Sequence, residues 1–432
     1  MKIGILGAGF VGLTLAARLL EPPKTDIILI EIDAKKREQM LSGISYVEEP
    51  GLSEIIQNGI YSERLKITGE VNSEELDALF ITIGTPRPSL KSDSYFLETI
   101  EVNLSQLKIG GLLLLRSTVS IGVTNRVQNL VQAHGRFDLT VVFAPERTAE
   151  GVALQELREL PQILGADSEV ELTKARAFLE SLGFDVVVAK GSRESEMAKL
   201  ACNTWRDVTF AFSNELVEIG AYLNVDTLDA IQIANSSYPR AKIPLPGPVG
   251  GPCLSKDSYI LTSSYAEKVQ ERSLILHARL LNESLATQVS SFITKTLTEK
   301  PNLHLLICGL AFKGQPKTND IRDSFAVQLL SNISTQIESG RVKIWDPHVS
   351  QVERENFKFE FIESMPIENP LMCVLTNNAP FLRSDFPGST YSMLRKDSII
   401  VDLWGNISLD AKLEAKLISL GRKSWSEVVH AK

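Results

Sequence analysis

Short, nearly continuous apolar runs alternate with amphipathic stretches through the first and last thirds of this chain, and a different pattern fills the middle. Residues 3–6 are apolar, a glycine-rich turn follows, residues 13–20 have helical spacing, and residues 27–30 are isoleucine-rich. Apolar runs at 78–83, 111–116 and 140–144 repeat the alternation, and Val186-Val187-Val188 reads as its last strand. Strands this uniformly apolar are covered on both faces. With helices between them, they predict a doubly wound parallel sheet. From 193 to 223 the pattern turns helical, with Met197, Leu200, Ala201, Thr204, Val208, Phe212 and Leu216 at the expected spacing. The stretch 257–297 contains neither proline nor glycine and reads as a central helix joining two domains and offering a surface for dimerisation. Beyond Pro301 the alternation restarts, with strands at 303–308, 342–345, 372–375 and 399–403 and a helix at 325–333. The predicted class is α/β: two doubly wound, Rossmann-like domains joined by a long central helix. The expected divisions are 1–191, 192–299 (helical, carrying Cys253) and 300–432.

Composition narrows the function classes. The chain is 44% hydrophobic and 23% charged over 432 residues, ordinary values for a globular protein of two or three domains. A net charge of -8 without a Lys/Arg-rich block excludes a nucleic-acid footprint, so an anionic ligand needs a local positive site. Cys202, Cys253, Cys308 and Cys373 have neither metal spacing nor a disulfide framework, which predicts no metal and suits a reducing cytoplasm. The chain enters its first strand at once, leaving no room for a signal peptide, and the run 112–115 is far too short to span a bilayer.

Gly7, Gly9 and Gly12 form G-x-G-x-x-G between a predicted strand and a predicted helix. The first glycine permits the tight turn, the second lets backbone approach a pyrophosphate, and the third allows helix–strand packing. Glu31 ends the second strand, where an acid binds ribose hydroxyls and repels a 2′-phosphate, so NAD is favoured over NADP. Asp33 is the alternate acid. Lys35, Lys36 and Arg37 argue for a 2′-phosphate or simply form a solvated helix face.

The stretch Gly250-Gly251-Pro252-Cys253-Leu254-Ser255-Lys256-Asp257 sets small residues before a cysteine and an ammonium after it. Such surroundings admit a substrate to sulfur and favour a thiolate, more so if Asp257 opens a helix. A buried, inert cysteine in a glycine turn is the bland alternative. Lys199 and Asn203, spaced i,i+4, present an ammonium and an amide to one oxygen or form a surface pair; Cys202 between them reads as packing. Glu146, Arg147 and Glu150 follow a predicted strand end, as does Thr118, where ligands bind in open α/β sheets. Lys313, Arg322 and Asp323 hold the matching place in the second sheet, where cations suit a diphosphate.

Together these residues resemble the UDP-glucose/GDP-mannose 6-dehydrogenase family over essentially the whole chain. The resemblance rests on Gly7 to Gly12, Ser117-Thr118-Val119, Pro145 to Gly151, Glu196 to Thr204 and the cysteine octet. It continues through Gly309-Leu310-Ala311-Phe312-Lys313, Asn319 to Ser324 and Trp345-Asp346-Pro347. It implies an NAD domain, a UDP-sugar domain, a homodimer on the central helix, and oxidation of a C6 alcohol to a carboxylate with two NAD. It further implies Cys253 as the nucleophile forming a thiohemiacetal and then a thioester, and Glu146 as the carboxylate activating water. Lys199 and Asn203 match the pair holding developing charge on the C6 oxygen, Asp257 the acid handling water and protons, and Thr118 a hydroxyl near the reacting centre. Arg240 aligns with an arginine reaching the neighbouring subunit's sugar. The expected NAD contacts are Gly7, Gly9, Phe10, Val11, Gly12, Glu31, Lys36, Thr85, Thr118, Glu150 and Lys256. The expected sugar-nucleotide contacts are Glu146, Arg147, Lys199, Asn203, Arg240, Gly250, Lys313 and Arg322. Precursor synthesis for a polysaccharide or envelope glycan is the family's implied setting.

Three departures lean towards the branch acting on UDP-N-acetylhexosamines rather than UDP-glucose or GDP-mannose. Arg147 follows Glu146, Pro246-Gly247-Pro248-Val249 replaces an aromatic-containing stretch, and Asp402-Leu403-Trp404 lacks an arginine common nearby. Lys256 points the other way. Two rivals remain: a single-step β-hydroxyacid-type dehydrogenase, which needs neither Cys253 nor the second sheet, and a non-catalytic NAD-binding protein.

Overall fold

The computed structural model describes all residues except 23, 24, 44, 71–74, 86–91, 264, 266, 356, 365–369, 385–390, 392, 393, 409–411 and 432. The chain divides into two compact units, Met1–Cys202 with Tyr259–Glu267, and Asn203–Ser258 with Lys268–Lys432.

The first unit is built on six strands: β1 (Lys2–Leu6), β2 (Asp26–Ile30), β3 (Leu65–Thr68), β4 (Leu76–Ile81), β5 (Leu107–Leu115) and β6 (Thr140–Phe143). Their order is β3-β2-β1-β4-β5-β6, all parallel, so the direction of winding reverses between β1 and β4. Apolar side chains on both faces form two separate cores, which is why these strands read as continuous apolar runs. Val186–Val188 (β8) is a strand, as expected, but it does not extend this sheet. It pairs with β7 (Gln162–Leu164) in a two-stranded sheet of its own.

The second unit repeats the plan. Strands β9 (His304–Cys308), β10 (Val342–Trp345), β11 (Glu360–Phe361), β12 (Leu371–Leu375), β13 (Ile399–Asp402) and β14 (Lys416–Ser419) are ordered β11-β10-β9-β12-β13-β14, again all parallel. The Phe325–Ile333 helix starts where the Ser324 hydroxyl accepts the Val327 N–H at 3.1 Å.

The long helix of the fold is Ser192–Leu223, 32 residues. Buried Glu196 secures its start by accepting the backbone N–H groups of Gly122 and Thr124, the first turn of the Val123–Ala133 helix. The single helix expected over 257–297 is a correction: this stretch is broken into Leu254–Thr262, Glu267–Gln270 and Leu274–Glu299. The last of these helices has its own start, where the Ser273 hydroxyl accepts the Leu276 N–H. Residues 264 and 266 of that stretch lie outside the described residues. Among the described residues no helix is long and apolar enough to cross a membrane.

Candidate active site

The glycine turn sits at the carboxyl end of β1, beside the point where the winding reverses. Gly7 has φ +102, a conformation that side chains resist, and its N–H donates to the Ile30 carbonyl at 2.8 Å. A Cβ on Gly12 would lie 1.9 Å from the Gly7 carbonyl oxygen, whereas a Cβ on Gly9 would meet nothing within 4 Å. The third glycine is thus demanded by packing, and the second leaves open space for a ligand. Phe10 and Val11 open the Phe10–Leu20 helix, whose N-terminal N–H groups suit a phosphate. Glu31 is buried at the end of β2; its carboxylate accepts the Ala8 N–H at 3.1 Å and the Asp33 N–H at 3.0 Å. Asp33 itself caps the next helix through the Lys35 and Lys36 N–H groups, which leaves Glu31 facing the turn.

Two residues here went unread in the sequence. Thr82 donates its hydroxyl to the Leu6 and Gly7 carbonyls, tying the turn to the end of β4. Tyr46 donates to the Ala8 carbonyl, and the Lys36 ammonium lies 5.3 Å from its ring. Burial first, then the charges of Glu31 and Asp33, push the Tyr46 phenol upward, so it remains a donor. Open space at Gly9, a close-packed Gly12 and an oriented Glu31 together fit a dinucleotide.

Beyond β4 and β5, Thr85 donates its hydroxyl to the Thr118 carbonyl at 2.6 Å, so these two expected ligand positions are neighbours. Beyond β6, Glu146 is buried and doubly engaged. One oxygen accepts from the Arg116 guanidinium, and the other accepts the Arg147 and Thr148 N–H groups at 2.6 and 2.8 Å. Burial opposes its charge most strongly, but the Arg116 charge and these hydrogen bonds prevail and hold the carboxyl below its usual range. Arg147 turns its guanidinium to the Pro161 carbonyl. Glu150 is half-buried, and Gly151 after it has φ +88 and donates to Glu49.

In the second unit the cysteine loop is held on several sides. Gly251, with φ +89, donates its N–H to the Asp323 carbonyl at 2.9 Å, and a Cβ there would lie 2.6 Å from the Phe312 ring. A Cβ on Gly250 would lie 2.6 Å from the Asp323 carbonyl, and the Ser255 hydroxyl donates to the Asp323 carboxylate at 3.1 Å. Cys253 is exposed and immediately precedes the Leu254–Thr262 helix, one turn earlier than an Asp257 start; its carbonyl accepts the Asp257 N–H at 3.0 Å. That end of a helix favours negative charge. Asp257 is fully buried and receives the Lys256 ammonium at 2.8 Å and the Asn203 amide at 2.7 Å. Three expected residues are therefore joined, with Lys256 held by Asp257 inside the second unit. Lys199 is buried in the first unit, on the same long helix as Asn203.

Other expected ligand groups already have partners. Arg322 is exposed, and its side chain donates to both carboxylate oxygens of Asp320. Arg240 is exposed, donates to the Tyr238 hydroxyl at 2.9 Å and stacks on that ring. Lys313 lies 5.4 Å from the Phe312 ring. Cys202, read as packing, is exposed on the long helix. Cys308 and Cys373 are buried on adjacent strands, and burial pushes the Cys308 thiol up.

Arg116, Asp207, Asn214, Arg279 and Asn282 also escaped the sequence reading. Asn203, Asp207 and Asn214 follow at i, i+4 and i+11 on one helix, and Arg279 and Asn282 at i and i+3 on another. Polar residues in register with a helix's buried face were the available signal.

Residues 1–182 match the NAD binding domain of the UDP-glucose/GDP-mannose dehydrogenase family, and residues 193–284 match its central domain. The chain belongs to the UDP-glucose/GDP-mannose dehydrogenase family. NAD is its cofactor, and the protein is an oxidoreductase of a nucleotide-sugar dehydrogenase family. It is 28% identical to the UDP-N-acetyl-D-mannosamine dehydrogenase of Methanococcus vannielii over 98% of both chains. It is 30% identical to the Pyrococcus horikoshii enzyme of the same name, over 81% of this chain and 84% of the other. A solved structure of UDP-D-ManNAc dehydrogenase from Pyrococcus horikoshii superposes with TM-score 0.83 at 26% identity, covering 98% of this chain and all of that one.

Proposed function

We propose that this family member oxidises the C6 alcohol of a UDP-N-acetylhexosamine to a uronate in two steps, with Cys253 as the nucleophile. The observation that carries the proposal is an exposed cysteine at a helix start, in a loop packed tightly against residues after β9, next to the Asn203–Asp257–Lys256 cluster. The names of the relatives favour UDP-N-acetylmannosamine as the sugar, and Arg147 after Glu146 agrees with that branch.

The overall change is R–CH2OH + 2 NAD+ + H2O → R–COO− + 2 NADH + 3 H+. NAD, held by the turn from Gly7 to Gly12 and by Glu31, would supply the acceptor for the hydride lost from C6. The alcohol gives up its proton and becomes an aldehyde, whose oxygen the Lys199 ammonium and Asn203 amide stabilise. Cys253 Sγ then bonds to C6 and the oxygen takes a proton, giving a thiohemiacetal; its oxidation leaves a thioester. Water attacks, the C–S bond breaks, and the thiolate departs with the carboxylate formed. Glu146, ionised at neutral pH, is assigned to the water and Asp257 to proton handling. Thr118 is assigned to the reacting centre. The helical segment 192–299 is assigned to dimerisation, since Trp205, Phe212 and Ile219 recur exposed every seventh residue on the long helix; Arg240 then serves the neighbouring subunit.

The test is NADH yield across a panel of UDP- and GDP-sugars. Two NADH per UDP-N-acetylmannosamine are expected, with none from Cys253→Ser. One NADH per sugar with full Cys253→Ser activity would replace the proposal with a single-step dehydrogenase.

A further inference from the structure

The loop that carries Cys253 rests on a buried polar cluster that the reaction scheme does not use. Arg279, on the Leu274–Glu299 helix, and Asp207, on the long helix, pair at 2.7 Å with side chains 1% and 0% exposed. Its two terminal nitrogens also donate to main-chain carbonyls on either side of the cysteine, Leu254 at 3.1 Å and Val249 at 3.3 Å, while its Nε faces the Glu283 carboxylate at 3.5 Å. Asp207 receives the Ser258 hydroxyl at 2.8 Å, from the helix that follows Cys253, and the Asn282 amide at 2.8 Å. Asn282 in turn accepts the Asn214 amide at 2.9 Å, and Asn214 holds both the N–H and the carbonyl of Gly247 at 3.0 and 3.1 Å.

A buried ion pair is a poor source of stability, because desolvating two charges offsets most of their attraction. What such a pair supplies is geometry: a guanidinium with fixed donor directions can grip two carbonyls at once, and lysine cannot. Every member of the cluster ends on the loop's backbone or on a residue that does.

We propose that Arg279, anchored by Asp207, is the positioning residue of the nucleophile, gripping the chain at Val249 and Leu254 so that Cys253 is presented in one geometry. The inference rests on Cys253 being the nucleophile and concerns how its sulfur is aimed. A misplacement of about 1 Å in an aligned reacting group costs on the order of a hundredfold in rate.

The experiment compares Arg279→Lys and Asn214→Ala with the wild type and Cys253→Ser in the full-length protein. Readouts are kcat and KM for NADH production, NAD dissociation constant, thermal unfolding, and the rate of iodoacetamide labelling of Cys253 relative to Cys202 in the same molecule. Arg279→Lys keeps a charge for Asp207 but cannot span both carbonyls. The expected result is a kcat at least roughly tenfold lower, an NAD dissociation constant within about twofold of wild type, and a changed Cys253-to-Cys202 labelling ratio. Loss of fold stability alone would leave that ratio unmoved. If Arg279→Lys does not fold, Asn214→Ala, which releases Gly247 without touching Arg279, carries the same expectation. Wild-type kcat and labelling ratio in a folded Arg279→Lys or Asn214→Ala, with Cys253→Ser inactive, would overturn the positioning role alone. Full activity in Cys253→Ser would overturn the nucleophile assignment and this inference with it.

Discussion

Glu146 and Arg116 pair in the interior of the first unit, with side chains 8% and 1% exposed. Neither is close to the other in sequence, and each depends on the other to be tolerated as an ion there. Arg116 also donates to the Gln162 side-chain oxygen at 2.5 Å, which fixes its direction.

Arg116→Met leaves an uncompensated carboxylate and is expected to cost about 3–5 kcal/mol, read by denaturant unfolding at pH 7. Because the folded-state value of Glu146 is depressed, its stabilisation is present above the ordinary glutamate value of 4.5 and is lost as pH falls through the lowered one. The stability gap between wild type and Glu146→Gln should therefore shrink on acidification below that value. A gap independent of pH between neutrality and strong acid contradicts the pairing. If Glu146 activates water, Glu146→Gln should also accumulate a covalent adduct on Cys253, seen by intact mass.

The second and third glycines of the turn should separate folding from binding. Gly9→Ala meets no neighbour and should leave the unfolding free energy within about 0.5 kcal/mol, yet weaken NAD by at least roughly tenfold. Gly12→Ala must push its Cβ away from the Gly7 carbonyl and should cost about 1–3 kcal/mol or more in stability. Calorimetric titration and thermal unfolding of both variants decide the matter; equal effects on stability would refute it.

Iodoacetamide should label Cys253 and Cys202, which are exposed, and spare Cys308 and Cys373, which are buried. Added UDP-sugar should protect Cys253 alone and preserve activity in proportion. Peptide mapping that shows equal protection of Cys202, or none at Cys253, contradicts a substrate role for the thiol.

Local chemistry explains what was legible. The turn from Gly7 to Gly12 and Glu31 announce themselves because each requirement falls on one short segment, and the inner strands announce themselves because both faces are buried. The edge strands β3, β11 and β14 do not: Lys66, Glu360 and Lys416 interrupt their apolar pattern, whereas the fourth edge strand, β6, is buried throughout and reads as an apolar run. The unbroken reading of 257–297 failed for a related reason, since the serine cap at Ser273 begins a separate helix without any glycine or proline to mark it.

The amino-acid order by itself determined the two parallel sheets, the dinucleotide turn and the family's run of motifs, because these depend on burial patterns and spacings within a few turns of chain. Only the tertiary structure decided that Glu146 is held by Arg116, that Asp257 joins Lys256 to Asn203, and that Arg279 grips the loop on either side of Cys253. Pairs such as Arg116–Glu146 and Arg279–Leu254 are separated by tens of residues, and a buried charge chooses its partner by what the folded chain brings within hydrogen-bonding reach, which no local pattern encodes.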